Sequence, residues 1–166
     1  TFPDRSLDID VVFDLMIHDL DLVLSIVESD IESIEAVGVP VLTDRFDIAN
    51  ARLRFASGCV ANITASRISR DRTRKIRFFQ RDAYISIDTG AKEAEVYRLV
   101  RAEGRRPAIE GGKIPVPDGE PLRNELQDFV DAVRLGRAPL VGGQDGRRAV
   151  ALAAQITERM AACTRT

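Results

Sequence analysis

DVVFDLMIHDLDLVLSIV, residues Asp10–Val27, is apolar almost all round when wound as a helix, the pattern of a buried helix. One stripe interrupts it. Asp14, His18, Asp21 and Ser25 fall at i, i+4, i+7 and i+11 and so project from one face. His18 is the only histidine in the chain, and Asp14 lies one turn before it, where a carboxylate can orient the ring or share its proton. Two readings of the stripe stay open: the narrow wet side of an amphipathic helix, or a few costly polar groups placed on a buried element for chemistry.

The chain of 166 residues is long enough for one domain with its own core, and a single domain over 1–166 is expected. A formal charge of -2 gives no reason to expect nucleic acid or an acidic membrane as partner. No apolar run reaches a membrane span, because Asp14 and His18 break the longest one. The opening TFPDRS is not a secretory signal, and the missing initiator Met marks a fragment or a processed product. Cys59 and Cys163 form no CxxC and, with one histidine, no zinc site, so no metal is expected. A reduced cytoplasmic compartment fits.

After residue 30 the period shifts from 3.6 to 2. Strands are expected around Ile34–Val41, Ala49–Phe55, Cys59–Ile68, Arg74–Arg81, Tyr84–Asp88 and Glu93–Val100, with a hairpin turn at Ser57-Gly58. Short turns between successive strands predict a mainly antiparallel open sheet of about five or six strands, helices packed on one face. The other face carries Asn62, Thr64, Ser66, Lys75 and Arg77, suited to a subunit contact. Ala102–Pro117 reads as a long loop. Pro121–Leu135 reads as a helix with Leu122, Leu126, Phe129, Val130 and Val133 on its apolar face and Gly136 as its stop. A last helix follows Gly142-Gly143-Gln144-Asp145-Gly146. The fold class is therefore α+β.

The basic run Arg67, Arg70, Arg72, Arg74, Lys75 and Arg77 is either a solvated hairpin or a rim for a phosphorylated substrate. The glycines before the last helix lack the Lys-Ser/Thr of a phosphate loop and follow no buried strand. His18-Asp19 invites comparison with metal phosphohydrolases, which need further histidines. What remains is Asp14 and His18 as a general acid–base pair. An imidazole with an ordinary pKa of about 6.5 accepts a proton near neutral pH. That suits oxidation of a hydroxyl whose hydride leaves to a cofactor, although this sequence shows no dinucleotide fold to hold one.

VVFDLMIHDLDL resembles the D-x-x-x-H-D-x-D signature of the Gfo/Idh/MocA family of NAD(P)-dependent sugar oxidoreductases. FDIANARLRFASGCVANITASR is similar to that family's central hairpin, and PLRNELQDFVDAVRLGRAPLVGGQDGRRAVALAAQI to its closing helices. The resemblance implies an N-terminal Rossmann domain followed by an α+β domain, of which this chain matches the second part. The glycine-rich NAD motif and the E-K-P segment are missing from it, so no cofactor-binding residue is assigned here. The resemblance makes His18 the proton acceptor and Asp14 its acidic partner or a substrate ligand. Asp21 aligns with the second acid, and Asp10 stands where many members have glycine. FPDRS and the R-x-S-R-x-R-x-R-K hairpin resemble a branch acting on nucleotide-linked sugars, which makes Asp21, Arg5 and Arg67 candidate substrate ligands.

The resemblance implies the substrate-binding and oligomerisation part of a cytoplasmic NAD- or NADP-dependent sugar or nucleotide-sugar dehydrogenase, inactive as this fragment alone. A homodimer or homotetramer through the open sheet face is expected. The rivals are a non-catalytic ligand-binding or dimerisation module of the same fold and a metal-dependent hydrolase around His18-Asp19.

Overall fold

The computed structural model describes residues 7–70, 73–101, 106–117 and 119–163. The chain forms two compact units, one built from the chain up to Ser69 and from Asp128 onward, the other from Arg70–Gln127.

The first unit holds a three-stranded antiparallel sheet in the order β1 (Ile31–Val39), β2 (Ile48–Phe55), β3 (Val60–Ser66). Strand β2 shows why the alternation was legible: Ala49, Ala51, Leu53 and Phe55 are buried, while Asn50, Arg52 and Arg54 face outward. The β2–β3 turn closes through Gly58, whose φ of 84° favours a residue without a Cβ. A helical segment begins as a π-turn, Val12–Met16, and continues as α1, Ile17–Ile26. Helix α3, Gly143–Cys163, packs on α1 and β1 through Ala149, Leu152, Ala153, Ile156 and Met160. Val12, Met16, Leu20 and Leu24 meet this stripe and the inner face of the sheet in one core. On the outer face Thr64 Oγ1 donates to Asn50 Oδ1 at 2.7 Å, and Arg52 Nη1 to Asn62 Oδ1 at 3.0 Å.

The second unit is a four-stranded antiparallel meander, β4 (Lys75–Phe79), β5 (Ala83–Asp88), β6 (Glu93–Val100) and β7 (Ala108–Ile114). Lys75 pairs with Asp88 at 3.3 Å and Lys113 with Glu93 at 2.6 Å. Two expectations need correction here. The described strands form two sheets of three and four rather than one of five or six, because β3 pairs only with β2 and β4 only with β5. The supposed loop Ala102–Pro117 contains β7, hidden by its glycines; its residues 102–105 lie outside the described ones. Gly111, at φ 148°, sits opposite Tyr97, and a Cβ there would collide with the Val96 carbonyl oxygen.

Helix α2, Pro121–Leu135, has the expected bounds. Glu120 caps it by accepting the Arg123 N–H at 2.7 Å, and Gly136 at φ 64° ends it, with Arg137 N–H returning to the Ala132 carbonyl at 3.0 Å. Its expected apolar face is exposed among the described residues, Leu126 and Phe129 each by 58%, and only Ala132 is buried.

Candidate acid–base site

Asp14 lies inside the π-turn and His18 in the first turn of α1. The turn is widened because the Ile17 N–H reaches back to the Val12 carbonyl, an i→i+5 contact. Such single π-turns inside helices recur at functional sites. The polar stripe survives this irregularity as a graded surface: Asp14 and Asp21 are half-buried, while His18 and Ser25 are exposed. Ser25 Oγ donates to the Leu22 carbonyl at 2.8 Å and so serves its own helix. Among the described residues neither Asp14 nor His18 makes a side-chain hydrogen bond, and the imidazole is exposed. The helix thus presents a reachable base with a carboxylate in the turn before it, an arrangement suited to proton transfer.

The start of this helix is held by groups that the sequence did not announce. Phe46 clasps it at two points: its N–H donates to Asp10 Oδ1 at 3.0 Å, and its carbonyl accepts the Val11 N–H at 2.9 Å. Arg67 Nη2 donates to the Ile9 carbonyl at 2.6 Å. Both contacts converge on Asp47, which is fully buried. Its carboxylate accepts the N–H groups of Val41, Leu42 and Thr43 at 2.8, 2.7 and 3.0 Å and the Thr43 hydroxyl at 3.1 Å. It lies 3.7 Å from Arg67 Nε, and the Asp47 carbonyl accepts the Arg67 N–H at 3.0 Å. Burial by itself would raise the Asp47 pKa. The backbone donors of Leu42, Val41 and Thr43 and the Thr43 hydroxyl overcome that and bring it down from 3.8 to about 2. The available signal was Thr43 and Asp47 four apart in a turn between strands, where an aspartate commonly collects loop N–H groups.

Of the candidate substrate ligands, Asp21 is half-buried on α1. Arg67 is buried, its guanidinium engaged with Ile9 and Asp47, which makes it a strut rather than an open anion receptor. Arg5 lies outside the described residues, as does Arg72 of the basic run. Arg74 and Arg77 are exposed on the second unit, where Lys75 is paired with Asp88.

Among the described residues no three His, Cys, Asp or Glu side chains are grouped as metal ligands. Every paired strand among the described residues is antiparallel, so no crevice opens among them at the carboxyl ends of parallel strands. At the glycine-rich start of α3, the Gly142 N–H donates to Asp145 Oδ2 at 2.8 Å, so that backbone donor is engaged within the chain. No helix among the described residues is long and apolar enough to cross a membrane.

Fold and helix together define an α+β domain with antiparallel sheets and one helix that carries the chain's single histidine. The chain belongs to the Gfo/Idh/MocA family: residues 3–86 match the GFO/IDH/MocA C-terminal domain. It is 39% identical over 158 residues to UDP-N-acetylglucosamine 3-dehydrogenase of Acidithiobacillus ferrooxidans, covering 93% of this chain and 50% of that protein. The solved structure of that dehydrogenase, GnnA, superposes with a TM-score of 0.86 at 37% identity, over 97% of this chain and 50% of its own. Levoglucosan dehydrogenase in complex with NADH shares the fold at TM-score 0.77 and 18% identity, over 91% and 48% of the two chains. Aldose-aldose oxidoreductase from Caulobacter crescentus complexed with glycerol does so at 0.70 and 22%, over 90% and 45%. The chain spans about half the length of the proteins it matches.

Proposed function

We propose that this chain is the substrate-binding, acid–base half of an NAD(P)-dependent dehydrogenase acting on a nucleotide-linked sugar, with UDP-N-acetylglucosamine as the first substrate to test. The observation that carries the reading is the presence of His18 and Asp14 on a chain 39% identical to a UDP-N-acetylglucosamine 3-dehydrogenase. In this reading His18 accepts the proton of the sugar hydroxyl being oxidised. Asp14 lies in the turn before it, as the proposed acidic partner. The nicotinamide, as hydride acceptor, is held outside the described residues. Asp21, in the turn after His18, is the proposed contact for a sugar hydroxyl. Assembly is proposed through the outer face of the sheet, where Asn50, Arg52, Asn62 and Thr64 offer polar groups, and the compartment proposed is the cytoplasm.

The test is an assay of the full-length protein with UDP-N-acetylglucosamine and NAD or NADP, following formation of reduced nicotinamide. Turnover supports the reading. Absence of turnover together with tight binding of the sugar nucleotide favours the non-catalytic binding module instead.

A further inference from the structure

We propose that Arg67 and Asp47 are positioning residues for the acid–base helix, setting the geometry of Asp14 and His18 through the backbone that leads into it. The inference rests on the proposed acid–base role of those two residues.

Three hydrogen bonds fall on three consecutive residues, Ile9, Asp10 and Val11, directly before the π-turn. Their other ends are Phe46 and Arg67, and both are fixed by Asp47. Phe46 precedes it in the chain. Arg67 meets it twice, by its main-chain N–H and by the guanidinium. Asp47 in turn is tied to β1, its N–H donating to the Val39 carbonyl at 3.0 Å, and to the turn after β1 through its carboxylate. The start of the helix is therefore referenced to the ends of β1 and β3 rather than to the apolar core alone. An apolar pair of the same volume serves stability as well as a buried ion pair does, and often better. What an apolar pair cannot supply is direction: the guanidinium held beside Asp47 at 3.7 Å donates through Nη2 to the Ile9 carbonyl at 2.6 Å. The segment it controls matters because Asp14 sits in the irregular turn that follows, only three residues after Val11. A small displacement of a reacting group costs rate without costing affinity.

The experiment compares full-length Arg67→Lys, Asp10→Ala, Ile63→Val and His18→Ala with the parent protein in the sugar-nucleotide assay. Lysine keeps the charge and loses the fork. Asp10→Ala removes one of the three bonds while leaving the ion pair intact, and so stands in if Arg67→Lys does not fold. Ile63→Val trims a buried core position on β3 and controls for lost stability. The expected result for Arg67→Lys is a fall in kcat of up to about 10²-fold with KM within about threefold. It is accompanied by a moved ring resonance of His18, assignable because no other histidine exists. Asp10→Ala shows the same pattern more weakly, and Ile63→Val shows neither effect. Unchanged kcat in both clamp variants, or a loss matched by Ile63→Val, overturns the positioning role. Wild-type turnover in His18→Ala instead overturns the acid–base reading and this inference with it. A damaged His18→Ala beside unchanged kcat in both clamp variants overturns the positioning role alone.

Discussion

Gly38 leaves the space that Phe46 occupies: a Cβ on Gly38 would come to 2.6 Å from Phe46 Cδ1 and 2.7 Å from Met160 Sδ. Phe46 is the residue that clasps Asp10 and Val11, so the missing side chain on β1 bears on how the helix carrying His18 begins. Gly38→Ala should cost about 1–3 kcal/mol, the usual penalty for an overpacked site. Urea unfolding checks it. A variant as stable as the parent means that Phe46 and Met160 shift freely.

Asp47 makes acid sensitivity specific. Its carboxylate titrates at about 2 in the folded chain, against 3.8 as an ordinary aspartate. A group whose folded pKa is depressed contributes stability that is complete above the unfolded value and is lost as pH falls through the folded one. The window is therefore from about pH 4 down to about 2. Asp128, held down by the Leu140 N–H and Arg137, and Asp88, held down by the Ala91 N–H, act in the same direction. Asp47→Asn should be less stable than the parent at pH 7 and should lose less further stability on acidification. Chemical denaturation at a series of pH values measures this. Parallel curves for the two proteins would show that the Asp47 charge does not contribute.

Helix and strands were legible in different degrees, for physical reasons. The 3.6 period located Asp10–Val27, and the alternation Ala49, Ala51, Leu53, Phe55 located β2, because burial on one face leaves a trace in composition. The π-turn left no such trace: an i→i+5 bond at Val12 is a backbone event that the side-chain pattern does not encode. Strand β7 was hidden for the opposite reason, since Gly111 and Gly112 signal a turn locally while the pairing with β6 is supplied from elsewhere in the chain. Arg67 was singled out for its charge, and its burial against Ile9 and Asp47 follows from contacts 58 and 20 residues away in sequence. His18 and Asp14 were readable because two polar groups on an apolar helix stand out. Their surroundings were not.

Isolated from any further domain, this chain should bind neither NAD nor NADP tightly. Its described strands are all antiparallel, and Asp145 occupies the glycine-rich helix start. Calorimetric titration of the 166-residue chain with each nucleotide is the check. Micromolar binding would place the cofactor site in this half of the protein.

The most direct test of the account is the turnover of full-length His18→Ala, measured at steady state beside its melting temperature. A general base contributes about 10²–10⁴-fold to rate, so kcat should fall by that order while KM and melting temperature hold. His18 is exposed, and its replacement should leave folding within about 0.5 kcal/mol. Turnover close to that of the parent, in a variant of unchanged melting temperature, would contradict the account and return the helix to a packing role.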